Sequence, residues 1–173
     1  MGFFKINFIG YSGSGKTYFI TKAIKLLRDK FNMESAVIKN IHKHQIDKEG
    51  KDTSLFAEAG SNYTIAKNIY DEITIFIKKK ISIEKIIEWM ELGPFKIDII
   101  FTEGFRSLKA PTVLCVRNIE EIEEQMNSNV KMISSMLRLT QEEKDKIKLN
   151  LPIINIEEEF DSFLKIFNIN QEF

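Results

Sequence analysis

One cysteine, Cys115, in 173 residues excludes a disulfide framework and a cysteine-rich zinc site. Net charge is absent as well: 25 basic and 25 acidic side chains cancel, which removes the broad positive field of a dedicated nucleic-acid binder. No apolar run approaches the ~18 to 20 residues that span a bilayer, so no membrane contact is expected. Met1 to Gly10 lacks a basic flank, an apolar stretch and a small-residue cleavage site in that order, and no signal peptide is expected. Together with the lone cysteine this predicts a cytoplasmic protein. Proline is scarce, at three, and arginine is limited to four residues.

What is there is globular. Hydrophobic residues make up 43% and charged residues 29% of the chain, and the length suits one core, so a single domain over 1–173 is expected. The charge is not evenly spread. Basic residues lead over 1–60 and acidic residues over 118–173, so chemistry directed at phosphate is expected early.

The hydrophobic pattern alternates strand and helix. Lys5 to Ile9 reads as a strand ending at Gly10. Ile20, Ala23, Ile24 and Leu27 mark a helix over Tyr18 to Leu27, starting near Lys16, and Ser35 to Lys39 reads as a second buried strand. Asp52 or Thr53 is expected to cap a short helix through Ala59. Tyr63 to Lys67 and Ile73 to Ile77 read as a hairpin or two neighbouring strands. Ser82 opens a helix with Ile83, Ile86, Ile87 and Met90 on one face, ended by Gly93-Pro94; with Lys85 three residues on, its capping box is incomplete. Strands are expected at Ile97 to Phe101, Thr112 to Val116, Met132 to Leu137 and Leu151 to Ile156. Helices are expected at Asn118 to Met126 and Phe160 to Phe167. The rhythm predicts a three-layer α/β domain with a mainly parallel sheet plus a β-hairpin, and the pattern G-x-x-x-x-G-K-[ST] at Gly10 to Thr17, between its first strand and helix, makes that domain P-loop NTPase-like.

The strongest motif is Gly10-Tyr11-Ser12-Gly13-Ser14-Gly15-Lys16-Thr17, which satisfies G-x-x-x-x-G-K-[ST]. Chance would supply it on the order of 0.01 times in this length. It falls between a predicted strand and a predicted helix, where its chemistry requires it. Glycines turn backbone N–H groups onto phosphate oxygens, and the helix that follows points its positive end at the same place. Lys16 is expected to reach the β- and γ-phosphates and Thr17 to bind Mg²⁺, with Ser12 and Ser14 keeping the loop small.

A second half is needed: an acid at the end of a neighbouring strand. Parallel strands present ligands at their C-terminal ends, so Glu103, not Asp98, is the expected partner of the cation; Asp98 is expected to face solvent or pair locally. Asp47 and Asp52 are candidates for Mg²⁺ or its water shell, and Lys51 for a phosphate; the alternative for Asp52 is the helix cap. His42 and His44 lack a third well-spaced ligand for zinc. Arg106 is a candidate for an anionic ligand, and Arg117 either does the same or pairs with Glu120-Glu121.

These residues together resemble the MobB-type molybdopterin-guanine dinucleotide biosynthesis adapter family. The resemblance rests on F-I-G-Y-S-G-S-G-K-T, A-V-I-K-N, D-K-E-G-K-D-T followed by A-E-A-G-S, D-I-I-F-T-E-G-F-R and the later V-R, across roughly residues 4–117. It implies a GTP-binding protein with weak GTPase activity that acts mainly as an adapter. It further implies a homodimer with an extended shared sheet, partnered by the molybdenum cofactor guanylyltransferase. By position, Gly10 to Thr17 correspond to the GTP phosphate loop, Glu103 to the strand-end acid, and Asp47, Lys51 and Asp52 to a loop facing the nucleotide. The sequence departs from the family at Asn40, where a histidine is common. The choice of GTP rests on the resemblance, since no N-K-x-D segment is present. The alternative is a small-molecule P-loop kinase using ATP, although four arginines leave little material for an arginine-bearing lid.

Overall fold

The computed structural model of the protein describes residues 3–135 and 151–169. In chain order the elements are β1 (Phe4–Ile9), α1 (Lys16–Phe31), β2 (Ser35–Lys39), α2 (Asp52–Glu58), β3 (Thr64–Lys67), β4 (Ile73–Phe76), α3 (Ile83–Glu91), β5 (Ile99–Glu103), β6 (Thr112–Val116), α4 (Glu120–Gln125), β7 (Val130–Ser135) and α5 (Phe160–Ile166). They fall into two compact units, one drawn from Met1–Asn40 and Phe95–Phe173 and the other from Ile41–Pro94.

In the first unit five strands form a sheet in the order β2-β5-β1-β6-β7, every pairing parallel. β1 sits at the centre, with Ile6, Asn7, Phe8 and Ile9 all buried. Ile6 and Phe8 join one buried cluster with Ile99, Phe101, Val113 and Cys115, which α1 and α5 cover through Phe19, Ile20, Ala23, Leu27, Phe160 and Phe163. Ile9 turns the other way, to Leu114, Val116, Ile122 and Ile133. This period-2 division is what a parallel sheet buried on both faces requires. Aromatic rings knit the first cluster: Phe19 meets Phe8 at 5.3 Å and Phe163 at 5.5 Å.

The second unit holds α2, α3 and an antiparallel hairpin of β3 and β4, with Ile65 opposite Ile75. Ser82 caps α3 by accepting from the Lys85 N–H at 3.3 Å, so the first half of the capping box forms without the second. Ile65, Ile69, Tyr70 and Ile73 on the hairpin are exposed.

Three expectations are corrected. The cap of α2 is Lys51, not Asp52 or Thr53; Asp52 is already helical, and no side-chain cap bond forms. Thr53 instead donates to Asp47 Oδ1 at 2.8 Å. Leu151 to Ile156 is not a full strand but one parallel bridge, Ile153 to Ile133. Pro152, without an N–H, contributes only its carbonyl, to Ile133 N at 2.9 Å, which restricts pairing there to an edge contact. The fifth strand runs Ile99–Glu103 and not Ile97–Phe101; Asp98, just before it, accepts from Phe4 N at 3.0 Å and donates to Glu34 O at 2.8 Å through its backbone. The last residues expected in the Met132 to Leu137 strand, 136 and 137, lie outside the described residues.

Candidate functional site

Strand order reverses at β1: the chain goes out on one side to β2, returns to β5 beside β1, then crosses to β6 and β7. A crevice at the C-terminal ends of the strands is expected at such a point, and residues 10–15 occupy it. Gly10 has φ +136°, and a Cβ there would lie 2.1 Å from the Cys115 carbonyl oxygen. Only a residue without a side chain lets the loop leave β1 so close to β6. Ser14 is buried, its N–H donating to Tyr11 O at 3.2 Å. Gly15, in the left-handed conformation, opens α1 without a side-chain cap, so the first N–H groups of a 16-residue helix are directed at the loop.

Lys16 lies within this loop. Its Nζ donates to Gly10 O at 2.9 Å and Tyr11 O at 2.7 Å. Partial burial lowers its pKa from the usual lysine value; Cys115 and Glu103 oppose that shift, and Lys39 adds to it. Thr17 donates from Oγ1 to Glu103, 3.1 Å from Oε2 and 3.3 Å from Oε1. Glu103 ends β5 opposite Phe8 of β1 and Lys39 of β2, so the register of three strands brings it beside the head of α1. It is buried, and Lys39 Nζ lies 3.2 Å from its Oε1.

The segment leaving Glu103 is pinned on both sides. Asn40 N donates to Glu103 O at 2.8 Å, Gly104 N to Phe8 O at 2.9 Å, and Asn40 Nδ2 to Gly104 O at 3.2 Å. Buried Asn7, mid-strand in β1, donates from Nδ2 to Phe105 O at 3.0 Å and accepts from Thr102 Oγ1 at 2.9 Å. An amide inside an apolar sheet is stable only when so satisfied, and here it fixes the chain just past the acid.

Arg106 follows directly, and its guanidinium is turned onto α4, donating to the Gln125 side chain and to Glu124 O at 3.0 Å. Arg117 pairs with buried Glu121, Nε to Oε1 at 2.6 Å, the local pairing that was one of its two expected roles. Burial raises the Glu121 pKa, but the Arg117 N–H groups and charge outweigh it and the net shift is downward. Tyr11 of the loop reaches the same helix through its hydroxyl, 2.9 Å from Glu124 Oε2. Asp98 is buried, accepting from Glu34 N at 2.8 Å and pairing with Lys96 at 2.8 Å. Cys115 is enclosed, and burial pushes its thiol up to about 12, which removes it as a nucleophile.

In the second unit Asp47 pairs with Lys78 at 2.9 Å. The Lys78 and Thr53 hydrogen bonds together outweigh the opposing effect of burial and lower its pKa. Lys51 and Asp52 are exposed at the start of α2. His42 and His44 are exposed, and no cluster of three or more potential metal-ligating His, Cys, Asp or Glu occurs among the described residues. Lys39, Asn40 and Asn7 were not singled out as site residues from the sequence. Lys39 had a readable signal, a charge at the C-terminal end of the second strand; the two asparagines acquire their partners only through sheet register.

A five-stranded parallel sheet whose central strand runs through a glycine-rich turn into a long helix defines a protein of the P-loop NTPase-like class. Within it, the chain belongs to the MobB family, described as molybdopterin guanine dinucleotide synthesis protein B, which matches residues 5–138. A curated relative, the molybdopterin-guanine dinucleotide biosynthesis adapter protein of Haemophilus influenzae, is 34% identical over 111 residues, covering 62% of this chain and 60% of the relative. The chain thus spans less than two thirds of that relative's length. The crystal structure of Bacillus subtilis MobB is similar over 95% of this chain and 98% of its own, with a TM-score of 0.72 at 20% identity. A MobB homologue from Bacillus stearothermophilus gives 0.67 at 15% identity, over 96% and 99%. At these identities the two structures support the fold. No helix among the described residues is long and apolar enough to cross a membrane.

Proposed function

We propose that this protein is a GTP-binding adapter with weak GTPase activity that assists the guanylyltransferase forming molybdopterin guanine dinucleotide. In this reading residues 1–173 act as one nucleotide-binding domain in a cytoplasmic homodimer. The observation that carries the reading is the Thr17–Glu103 pair at the head of α1, set beside a loop of the phosphate-binding pattern in a chain of the MobB family. A hydroxyl and a carboxylate are the hard oxygen donors that suit Mg²⁺, so these two residues fit the ion. Bound there, Mg²⁺ would supply charge neutralisation at the phosphate oxygens.

The protein's own groups do the rest. N–H groups of residues 10–15 and of the first turn of α1 hold the phosphates. Lys16 exchanges the carbonyls of Gly10 and Tyr11 for phosphate oxygens and offsets charge that develops on them. Glu103 positions the attacking water. Arg106 lies in the segment just past Glu103 and contributes to anion binding when it leaves α4. Asp47, Lys51 and Asp52 enter the proposal by the family resemblance. With no arginine among the described residues held over the phosphate loop, turnover is slow until a partner completes the site.

Calorimetric titration of wild type and Lys16→Ala with GTP, ATP and GDP in Mg²⁺ tests this. GTP-selective binding that is lost in the variant is expected. Equal binding in the variant overturns the loop assignment, and a preference for ATP favours a small-molecule kinase.

A further inference from the structure

One charge at the phosphate-loop site, Lys39, has no task in the proposed function. Lys39 ends β2, and the register that aligns it with Glu103 sets its ammonium 3.2 Å from Glu103 Oε1. The Glu103 side chain is only 10% exposed, whereas that of Lys39 is 50% exposed. The carboxylate is therefore enclosed, while half of the Lys39 side chain reaches water. Lys16 is engaged with the carbonyls of Gly10 and Tyr11, and it is Lys39 whose ammonium pairs with Glu103. Thr17 covers both carboxylate oxygens with one hydroxyl. A divalent cation that uses Glu103 needs the same oxygens, and an ammonium at Oε1 both occupies one of them and repels the ion.

We infer that Lys39 is a positioning residue that neutralises Glu103 and competes with a divalent cation for its carboxylate, so that the ion binds by displacing the Lys39 ammonium. The inference rests on the reading of Thr17 and Glu103 as the cation's ligands. It predicts an unusual sign: removing a charge that stabilises the ligand-free site tightens metal binding. A purely structural lysine does the reverse, since its loss leaves a buried carboxylate unpaired and loosens the site.

The test measures Mn²⁺ binding by electron spin resonance to the nucleotide-free protein, comparing wild type, Lys39→Met, Lys39→Gln and Lys39→Arg. Both uncharged variants are expected to bind Mn²⁺ at least threefold more tightly than wild type, and Lys39→Arg no more tightly. Adding Glu103→Gln to Lys39→Met should abolish the gain. Equal or weaker Mn²⁺ binding in the uncharged variants, or no binding in any protein, overturns the inference. With two such variants, a folding defect in one, seen by circular dichroism, leaves the other to decide. A parallel titration of Mg²⁺ with a fluorescent guanosine nucleotide separates the two readings. Absence of nucleotide binding by wild type defeats the proposed function, while the Mn²⁺ comparison still decides the role of Lys39.

Discussion

Gly10 and Gly13 belong to one motif but are constrained by different things. A Cβ at Gly10 meets the Cys115 carbonyl at 2.1 Å, whereas one at Gly13 meets nothing within 4 Å although φ is +78°. Gly13→Ala should cost about 1 to 2 kcal/mol, the expense of a left-handed residue, and Gly10→Ala several-fold more, because β1 and β6 must separate; urea unfolding measures both. Asp98 makes a pH-dependent contribution. Burial raises its pKa, but the Lys96 ammonium and the Glu34 N–H together outweigh it, and the net shift is downward. A folded pKa below the unfolded one stabilises the fold above the unfolded value of about 3.9 and ceases to do so as pH falls through the folded value. Asp98→Asn should therefore lower stability by about 1 to 3 kcal/mol at pH 7. The gap to wild type should close below pH 4 in denaturant titrations at each pH. The sequence left Asp98 either facing solvent or pairing locally; the fold buries it and pairs it with Glu34 N and Lys96, so the solvent-facing alternative is corrected.

At the scale of elements, α5 shows how packing overrides local sequence. Its seven residues, FDSFLKI, are too few to hold a helix in isolation. Phe163 nevertheless lies fully buried against Phe19, Phe160 and Phe167 at 5.2 to 6.1 Å. Phe163→Ala should cost about 3 to 5 kcal/mol and lower the thermal midpoint by about 6 to 20 °C, which differential scanning calorimetry reads. Helices and strands with strong periodicity, such as α1 and β6, were readable to within a few residues, since their side chains repeat the geometry of the element. The stretch from Leu151 was misread because an apolar run carries no record of whether a neighbouring edge has free partners. The α2 cap was misplaced because Asp52 already lies in the helix and the Thr53 hydroxyl bonds to Asp47 instead of the backbone.

For the whole molecule, the proposed nucleotide-binding homodimer predicts twice the chain's mass in sedimentation equilibrium; a monomeric mass at micromolar concentration counts against it. The amino-acid sequence by itself determined the class: the phosphate-loop pattern, the strand on either side of a helix and the acid after I-I-F-T are local features, and local spacing suffices to read them. Tertiary structure alone decided which groups meet. Glu103 gains Thr17 from α1 and Lys39 from β2, 86 and 64 positions away in the chain, and Arg106 turns to α4. Such meetings depend on parallel register, where a shift of one residue sends each side chain to the opposite face, and register is set by the burial of the entire sheet.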